Sequence, residues 1–376
     1  MNAPVDFSPT LRLLLLAAGG ALLPLAWVWL RQRHADGRAR LAMLTAVTLF
    51  LTFDLIVFGA FTRLTDSGLG CPDWPGCYGH ASPIGAESPI AQAEAAMPTG
   101  PVTEGKAWIE MVHRYLAMVV GALCLVIAVA SWAGRDRLPH SPWWPTLTLA
   151  WVIVQGLFGK FTVTLKLYPA VVTLHLLGAL VLLGLLAVQR EAFRARPLVL
   201  PAPLRRLALA VLVLLVVQIG LGGWVSTNYA VLACSGFPTC NGQWWPKGDW
   251  TEGFTLLREL GHTGAGALLS FDALVAIHWA HRVFALLAAG ALVLLAVALR
   301  RAGGPLRSSW GLGLLLLTGL QLATGLSNVV LQWPIVAALL HSAGAAALVL
   351  HLTLLLARSA VAEPARGPVG ALAGLA

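Results

Sequence analysis

Charged residues are scarce in this chain. They make up 11% of its 376 residues, against about 25% in an ordinary soluble domain, and that deficit excludes a fold solvated mainly by water. Acids are the scarcer sign, 16 Asp and Glu against 25 Lys and Arg. Within the apolar stretches they are Asp54, Glu110 and Asp272, too few for the paired carboxylate motifs of a di-iron bundle. Cysteine is sparse as well. Cys71 with Cys77, and Cys234 with Cys240, share one C-x5-C spacing in two loops, while Cys124 sits inside an apolar stretch. That spacing is wider than the usual zinc-ligand spacing, and neither loop has a histidine pair beside it. Each pair reads as a disulfide or a redox-active pair, which an oxidising compartment permits.

What is abundant is apolar sequence. Hydrophobic residues reach 58% and mean hydropathy is +0.78. About 20 apolar residues span the ~30 Å hydrocarbon core of a bilayer. Nine such runs occur, at 11–30, 41–61, 108–133, 143–163, 169–188, 207–225, 272–299, 310–331 and 335–357. They predict an all-α polytopic membrane bundle of nine helices. The first run has little basic flank before it and no small-residue cleavage site after it, so it is expected to be retained.

The net charge of +9 would suggest nucleic acid in a soluble protein, but here the basic residues fall in alternate short loops. Arg31, Arg33, Arg38 and Arg40 follow the first run, Arg135 and Arg137 the third, Arg190 through Arg206 the fifth, and Arg300, Arg301 and Arg307 the seventh. The positive-inside rule makes these loops cytoplasmic. The N-terminus and the long loops at about 63–106 and 226–270 then face outward, the periplasm of a bacterial inner membrane, and the C-terminus with Arg358 faces inward.

The chain repeats itself. Cys71 and Cys77 recur as Cys234 and Cys240 at an offset of 163, Glu110 to Ala117 aligns with His278 to Ala285 at 168, and Leu174-His175 aligns with Leu340-His341 at 166, with Gln155 and Gly159 matching Gln321 and Gly325. The division that follows is an extra N-terminal helix with a basic loop (1–39), a four-helix half (40–190), a cytoplasmic linker (191–203) bearing Pro197, Pro201 and Pro203, a second four-helix half (204–358) and a cytoplasmic tail (359–376). Four is even, so the halves run parallel, related by an axis along the membrane normal.

Four of the ten histidines occupy equivalent places: His113, His175, His281 and His341. Pro169 and Pro334 are placed to start helices. His175 and His341 come six and seven residues later, roughly 10 Å down a helix, and His113 and His281 reach similar depth from the opposite direction. Polar groups at membrane depth are costly and mark function, and imidazole is a common axial ligand of haem iron. Two histidines per half predict two haem sites. His351 is unmatched in the first half and reads as a packing residue. Arg114 and Arg282 directly follow two of the histidines, where they either meet haem propionates or snorkel to the interface. Glu110 shares a helix face with His113, and His278 stands in its place in the second half. A carboxyl group there can relay protons or stabilise charge, or it can orient the imidazole. The asymmetry suggests one half for chemistry and one for a permanent cofactor.

These residues resemble the haem A synthase family. The strings that carry the resemblance are Gly59 through Gly79, with Cys71 and Cys77; Glu110 to Arg114; Gly222 to Ala230 with Cys234 to Cys240; His278 to Arg282; and the two Leu-His-x-x-Gly-Ala segments, covering about residues 40–358. The first helix departs from the family's eight-helix core. The resemblance implies oxidation of the C8 methyl group of haem O to the formyl group of haem A, by successive oxygenations, for terminal oxidase assembly. It further implies that His281 and His341 hold a haem b, that His113 and His175 bracket the substrate haem with iron between them, and that Glu110 is catalytic. By the same token Cys71/Cys77 would help admit or retain haem, and the second pair would be a structural clasp.

Membrane lipid, a haem O synthase handing over a hydrophobic substrate, an unidentified electron donor and a second copy of the chain are the expected partners. The runner-up reading is a di-haem b-type electron-transfer cytochrome. The segment Trp250 to His262 carries apolar residues at i, i+4 and i+7 and predicts a helix lying on the membrane surface or packed on the bundle.

Overall fold

In the computed structural model, which describes residues 8–194 and 198–361, nine helices are long and apolar enough to cross a membrane. They are α1 (Ser8–Arg31), α2 (Gly37–Leu64), α3 (Glu104–Ala133), α4 (Trp143–Thr164), α5 (Pro169–Ala192), α6 (Ala202–Thr227), α7 (Phe271–Arg301), α8 (Leu312–Val330) and α9 (Ile335–Arg358). Several start earlier than their apolar runs because polar caps lie upstream. Asp36 accepts from the Ala39 amide at 2.7 Å, Thr103 from Lys106 at 3.3 Å and Ser270 from Ala273 at 3.2 Å, each satisfying an otherwise orphaned helix donor. Pro169 occupies the first position of α5 and Pro334 caps α9, positions where a missing N–H costs nothing.

Large apolar side chains are exposed along the helices, among them Leu14, Leu23, Phe50, Leu286 and Leu316. Lipid rather than water is the solvent for such a surface. The buried core runs through Leu49 and Ile56 of α2, Leu183 and Leu186 of α5, Val211 and Leu215 of α6, Leu295 of α7 and Leu348 and Leu352 of α9. Helix α1 packs outside this core, with Ala21 and Val28 against Leu44 of α2 and Leu123 of α3. Three buried threonines of α2 turn their hydroxyls onto their own helix. Thr45, Thr48 and Thr52 donate to the carbonyls four residues back at 2.8, 2.9 and 2.7 Å, so none of these three hydroxyls is stranded in the apolar interior.

One extra helix therefore precedes two four-helix repeats, α2–α5 and α6–α9, and the backbone repeats with them. Left-handed residues occur in matching turns: Asp66 and Tyr229 at φ 53° and 55°, Tyr78 and Asn241 at 51° and 52°, and Lys166-Leu167 with Gln332-Trp333. The halves meet through two of these turns. The Arg63 guanidinium donates to the Ser226 carbonyl and lies 4.0 Å over the Tyr229 ring, whose hydroxyl bonds Asp66. Burial raises the Tyr229 phenol above its ordinary pKa.

Three features depart from the sequence reading. The segment from Trp250 to His262 is helical only at Trp250–Gly253. The Trp224 indole captures the Gly253 carbonyl at 2.8 Å, and Arg258 turns inward to the Asn228 side-chain oxygen at 2.6 Å, so a surface helix cannot continue. A second short helix, Glu87–Ala96, sits in the first long loop. Leu198–Leu200 of the linker pairs in parallel with Ser359–Val361 of the tail, a long-range contact that local patterning does not reveal. Pro197, the first seven residues and the tail beyond 361 lie outside the described residues.

Arg63→Ala removes a charge-assisted hydrogen bond and a cation–π contact between the halves. It is expected to lower stability by about 2 kcal/mol, read as an earlier thermal transition by circular dichroism in detergent micelles.

Candidate functional site

All four paired histidines lie toward the end of the bundle that carries the cysteine loops. His113 is on α3 and His175 on α5; His281 is on α7 and His341 on α9. The partner helices run parallel within each half, one antiparallel helix standing between them in sequence, so both histidines reach their depth from the loop-side end and not from opposite directions as expected. They are near enough to interact electrostatically, His113 with His175 and His281 with His341. Each ring rests against a glycine of the preceding helix. A Cβ at Gly59 would stand 3.0 Å from His113 Nε2, one at Gly222 2.9 Å from His281 Cε1, and one at Gly325 3.1 Å from His341 Cε1. At Gly159 the corresponding contact to His175 is looser, 3.8 Å. The absent side chains leave room for imidazoles that would otherwise clash with the neighbouring helix. Gly223 likewise packs on Leu176 and Thr173 inside the chain, so the small-residue run at 220–223 serves internal packing.

The ring nitrogens differ between halves. His281 Nδ1 lies 3.0 Å from the Gln218 amide and His341 Nδ1 lies 3.1 Å from Thr324 Oγ1. His175 Nδ1 is buried without a partner, and His113 stacks on Phe58 with centroids 6.3 Å apart. The Gln155 amide, one turn before Gly159, and Gln321 Oε1, one turn before Gly325, are also buried and unpartnered.

This donor set fits haem. The porphyrin already supplies four nitrogens to iron, so two opposed imidazoles complete it. A bare ion would need at least three protein ligands, and no three His, Cys, Asp or Glu gather for one among the described residues.

Beside each pair is a disulfide loop. Cys71–Cys77 and Cys234–Cys240 are bonded, with Cα separations of 4.9 and 4.8 Å. Each loop closes a small turn, Cys77 with His80 and Cys240 with Gln243. Glu110 is buried beneath the first loop and accepts from the Cys71 amide at 2.7 Å. Arg114 pairs with Glu110 and donates to the carbonyls of Asp73, at 2.9 Å, and Gly76. Arg282 does the same beneath the second loop, donating to the carbonyls of Cys234 and Gly236, while its Nε bonds His278 Nε2 at 3.2 Å. Both arginines thus spend their donors on loop carbonyls, which are fixed acceptors within hydrogen-bond reach. Burial, and then the Asp73 carboxylate, raise the Tyr78 phenol above its ordinary pKa and keep the first loop's tyrosine neutral.

Residues 42–353 match the family model described as cytochrome oxidase assembly protein. The heme A synthase of Shewanella oneidensis is 39% identical over 83% of this chain and 94% of its own length. Those of Sphingopyxis alaskensis and Caulobacter vibrioides are 31% and 30% identical over 81% and 84% of this chain, and 88% and 94% of their own. The chain belongs to the haem A synthase family.

The region matched by that family model contains both histidine pairs and both disulfide loops, and α1 lies ahead of it. The expected histidines are brought together in pairs. Gln218 and Thr324 escaped the sequence reading. Their signal is a polar residue one turn or one position ahead of a cradle glycine, where the first half has Leu55 and Phe158 at the equivalent positions. His351 contacts the Trp310 ring and its carbonyl, the latter at 3.0 Å, as a packing residue does.

Arg114→Met leaves the buried Glu110 without its cation, a loss of about 3–5 kcal/mol. The expected result is a lower unfolding temperature and faster reduction of Cys71–Cys77 by thiol reagents, measured by alkylation and mass analysis, with Cys234–Cys240 unchanged.

Proposed function

We propose that this chain oxidises the C8 methyl group of haem O to a formyl group, giving haem A, with substrate held in the half built from α2–α5. The observation that carries the reading is a duplicated pair of buried imidazoles with one chemical asymmetry. Glu110 stands one turn from His113, and His278 stands in its place beside His281.

His113 and His175 grip the substrate through its iron from opposite sides and so fix where its methyl edge lies. The Gly59 and Gly159 cradles hold those rings against α2 and α4. Glu110 acts as acid, base or charge stabiliser from a position set by Arg114 and the Cys71 amide. Because that amide belongs to the disulfide loop, the loop and the carboxylate move together, which suits a loop that admits and retains a haem. His281 and His341 hold the resident cofactor, haem b, which supplies electrons when bound. An electron donor outside this chain must replenish them.

The basic residues that end α1, α5, α7 and α9, with Arg135 and Arg137 just after α3, gather at the pole opposite the disulfide loops. That segregation supports a topology with loops and histidines on the periplasmic side of a bacterial inner membrane. A farnesylated substrate in that leaflet reaches the site laterally from lipid, and direct transfer from a haem O synthase would spare it from water.

The test is to express the chain with and without a haem O synthase in a host that lacks haem A, then identify extracted haems by mass. Haem A is expected only with the synthase present, and Glu110→Ala should abolish it while retaining haem b. Two haem b per chain under both conditions would overturn the reading in favour of an electron carrier.

A further inference from the structure

The two histidine pairs share their glycine cradles but not the surroundings of their second ring nitrogens. Thr324 Oγ1 donates its only proton to the Leu320 carbonyl at 2.7 Å, so toward His341 Nδ1, 3.1 Å away, it acts as acceptor. His341 therefore carries its proton on Nδ1 and presents an unprotonated Nε2. The Gln218 side-chain nitrogen stands 3.0 Å from His281 Nδ1 and donates to the His281 carbonyl at 3.2 Å, with its Oε1 buried and unpartnered. Amide oxygen and nitrogen exchange by a half-turn of the side chain. When Nε2 of His281 binds iron, Nδ1 holds the proton and Oε1 turns to accept it, exchanging the bond to the His281 carbonyl for one to the ring.

The first half lacks both partners. Leu55 occupies the position of Gln218 at the offset of 163, and Phe158 that of Thr324 at 166. Neither His113 nor His175 hydrogen-bonds a neighbour among the described residues, and His175 Nδ1 is buried alone.

We propose that Gln218 and Thr324 are positioning residues that lock the rings of His281 and His341 for iron and make that pair the retentive haem site. Leu55 and Phe158 leave the His113–His175 pair free to release its haem. The proposal rests on the reading of the two pairs given above and explains physically why one of two equivalent sites keeps its haem. A hydrogen bond accepted from Nδ1–H fixes the tautomer and the ring angle and strengthens the imidazole as a donor; losing it typically costs about 10–100-fold in affinity. A stronger donor also favours the ferric state and lowers the reduction potential. A site whose haem must depart as product gains from the opposite arrangement.

The test uses the full chain purified with haem b bound, and follows both haem transfer to excess apomyoglobin and the midpoint potential. Gln218→Leu and Thr324→Val should lose haem b about 10–100-fold faster and shift the potential positive. Gln218→Glu, a stronger acceptor, should shift it negative, and Thr324→Ser should behave as the unsubstituted chain. Unchanged loss rates and potentials in Gln218→Leu and Thr324→Val overturn the proposal, as do shifts of the same sign in Gln218→Leu and Gln218→Glu, the mark of altered packing alone. His281→Ala and His341→Ala separate the two levels. If they lose haem b while the Gln218 and Thr324 variants do not differ, the proposal alone fails. If they retain it, haem b is not held there, and the underlying reading fails with it.

Discussion

A polar atom inside a lipid-embedded bundle has no water to turn to, and the rest of this structure follows from that constraint. Backbone groups meet it by forming helices. The threonines of α2 meet it by bonding their own helix, and the buried charges of Glu110 and Arg114 by pairing with each other and with the Cys71–Cys77 loop. The imidazoles meet it only in part. Their rings are wedged against glycines, yet His175 Nδ1 and the Gln155 amide remain unpartnered.

Repetition builds two such sites at once, and a few substitutions then separate them. Gly59 and Gly222, Gly159 and Gly325, and the two disulfide loops preserve a common frame. Within it Glu110 faces His278, Leu55 faces Gln218 and Phe158 faces Thr324 across the repeat. None of these exchanges alters a helix. They change which atom can accept a proton, hold a charge or anchor a ring, and the proposed division between a substrate haem and a resident haem rests on that difference.

The loops are part of the sites rather than covers for them. Arg114 and Arg282 run from the histidine helices into the carbonyls of the cysteine loops, and Glu110 joins the first loop through the Cys71 amide. Guanidinium groups suit this role because their several donors reach several carbonyls at once. A change at either loop is thereby felt one helical turn from an imidazole.

The amino-acid sequence by itself determined the nine apolar spans and the parallel repeat, because hydropathy, loop charge and residue spacing are local or periodic properties, and its motif strings carried the resemblance to the haem A synthase family. It also singled out the four histidines, since ionisable groups stand out in apolar runs. Only the tertiary structure decided what their neighbours do. Arg114 bonds loop carbonyls from Asp73 to Gly76, some forty positions upstream, and Gln218 meets His281 from another helix. The strand Leu198–Leu200 needs Ser359–Val361 to exist, and the expected helix through 250–262 stops where Trp224 takes the Gly253 carbonyl. Each of these depends on a hydrogen bond between residues far apart in the chain, and no local pattern encodes the approach of a distant donor.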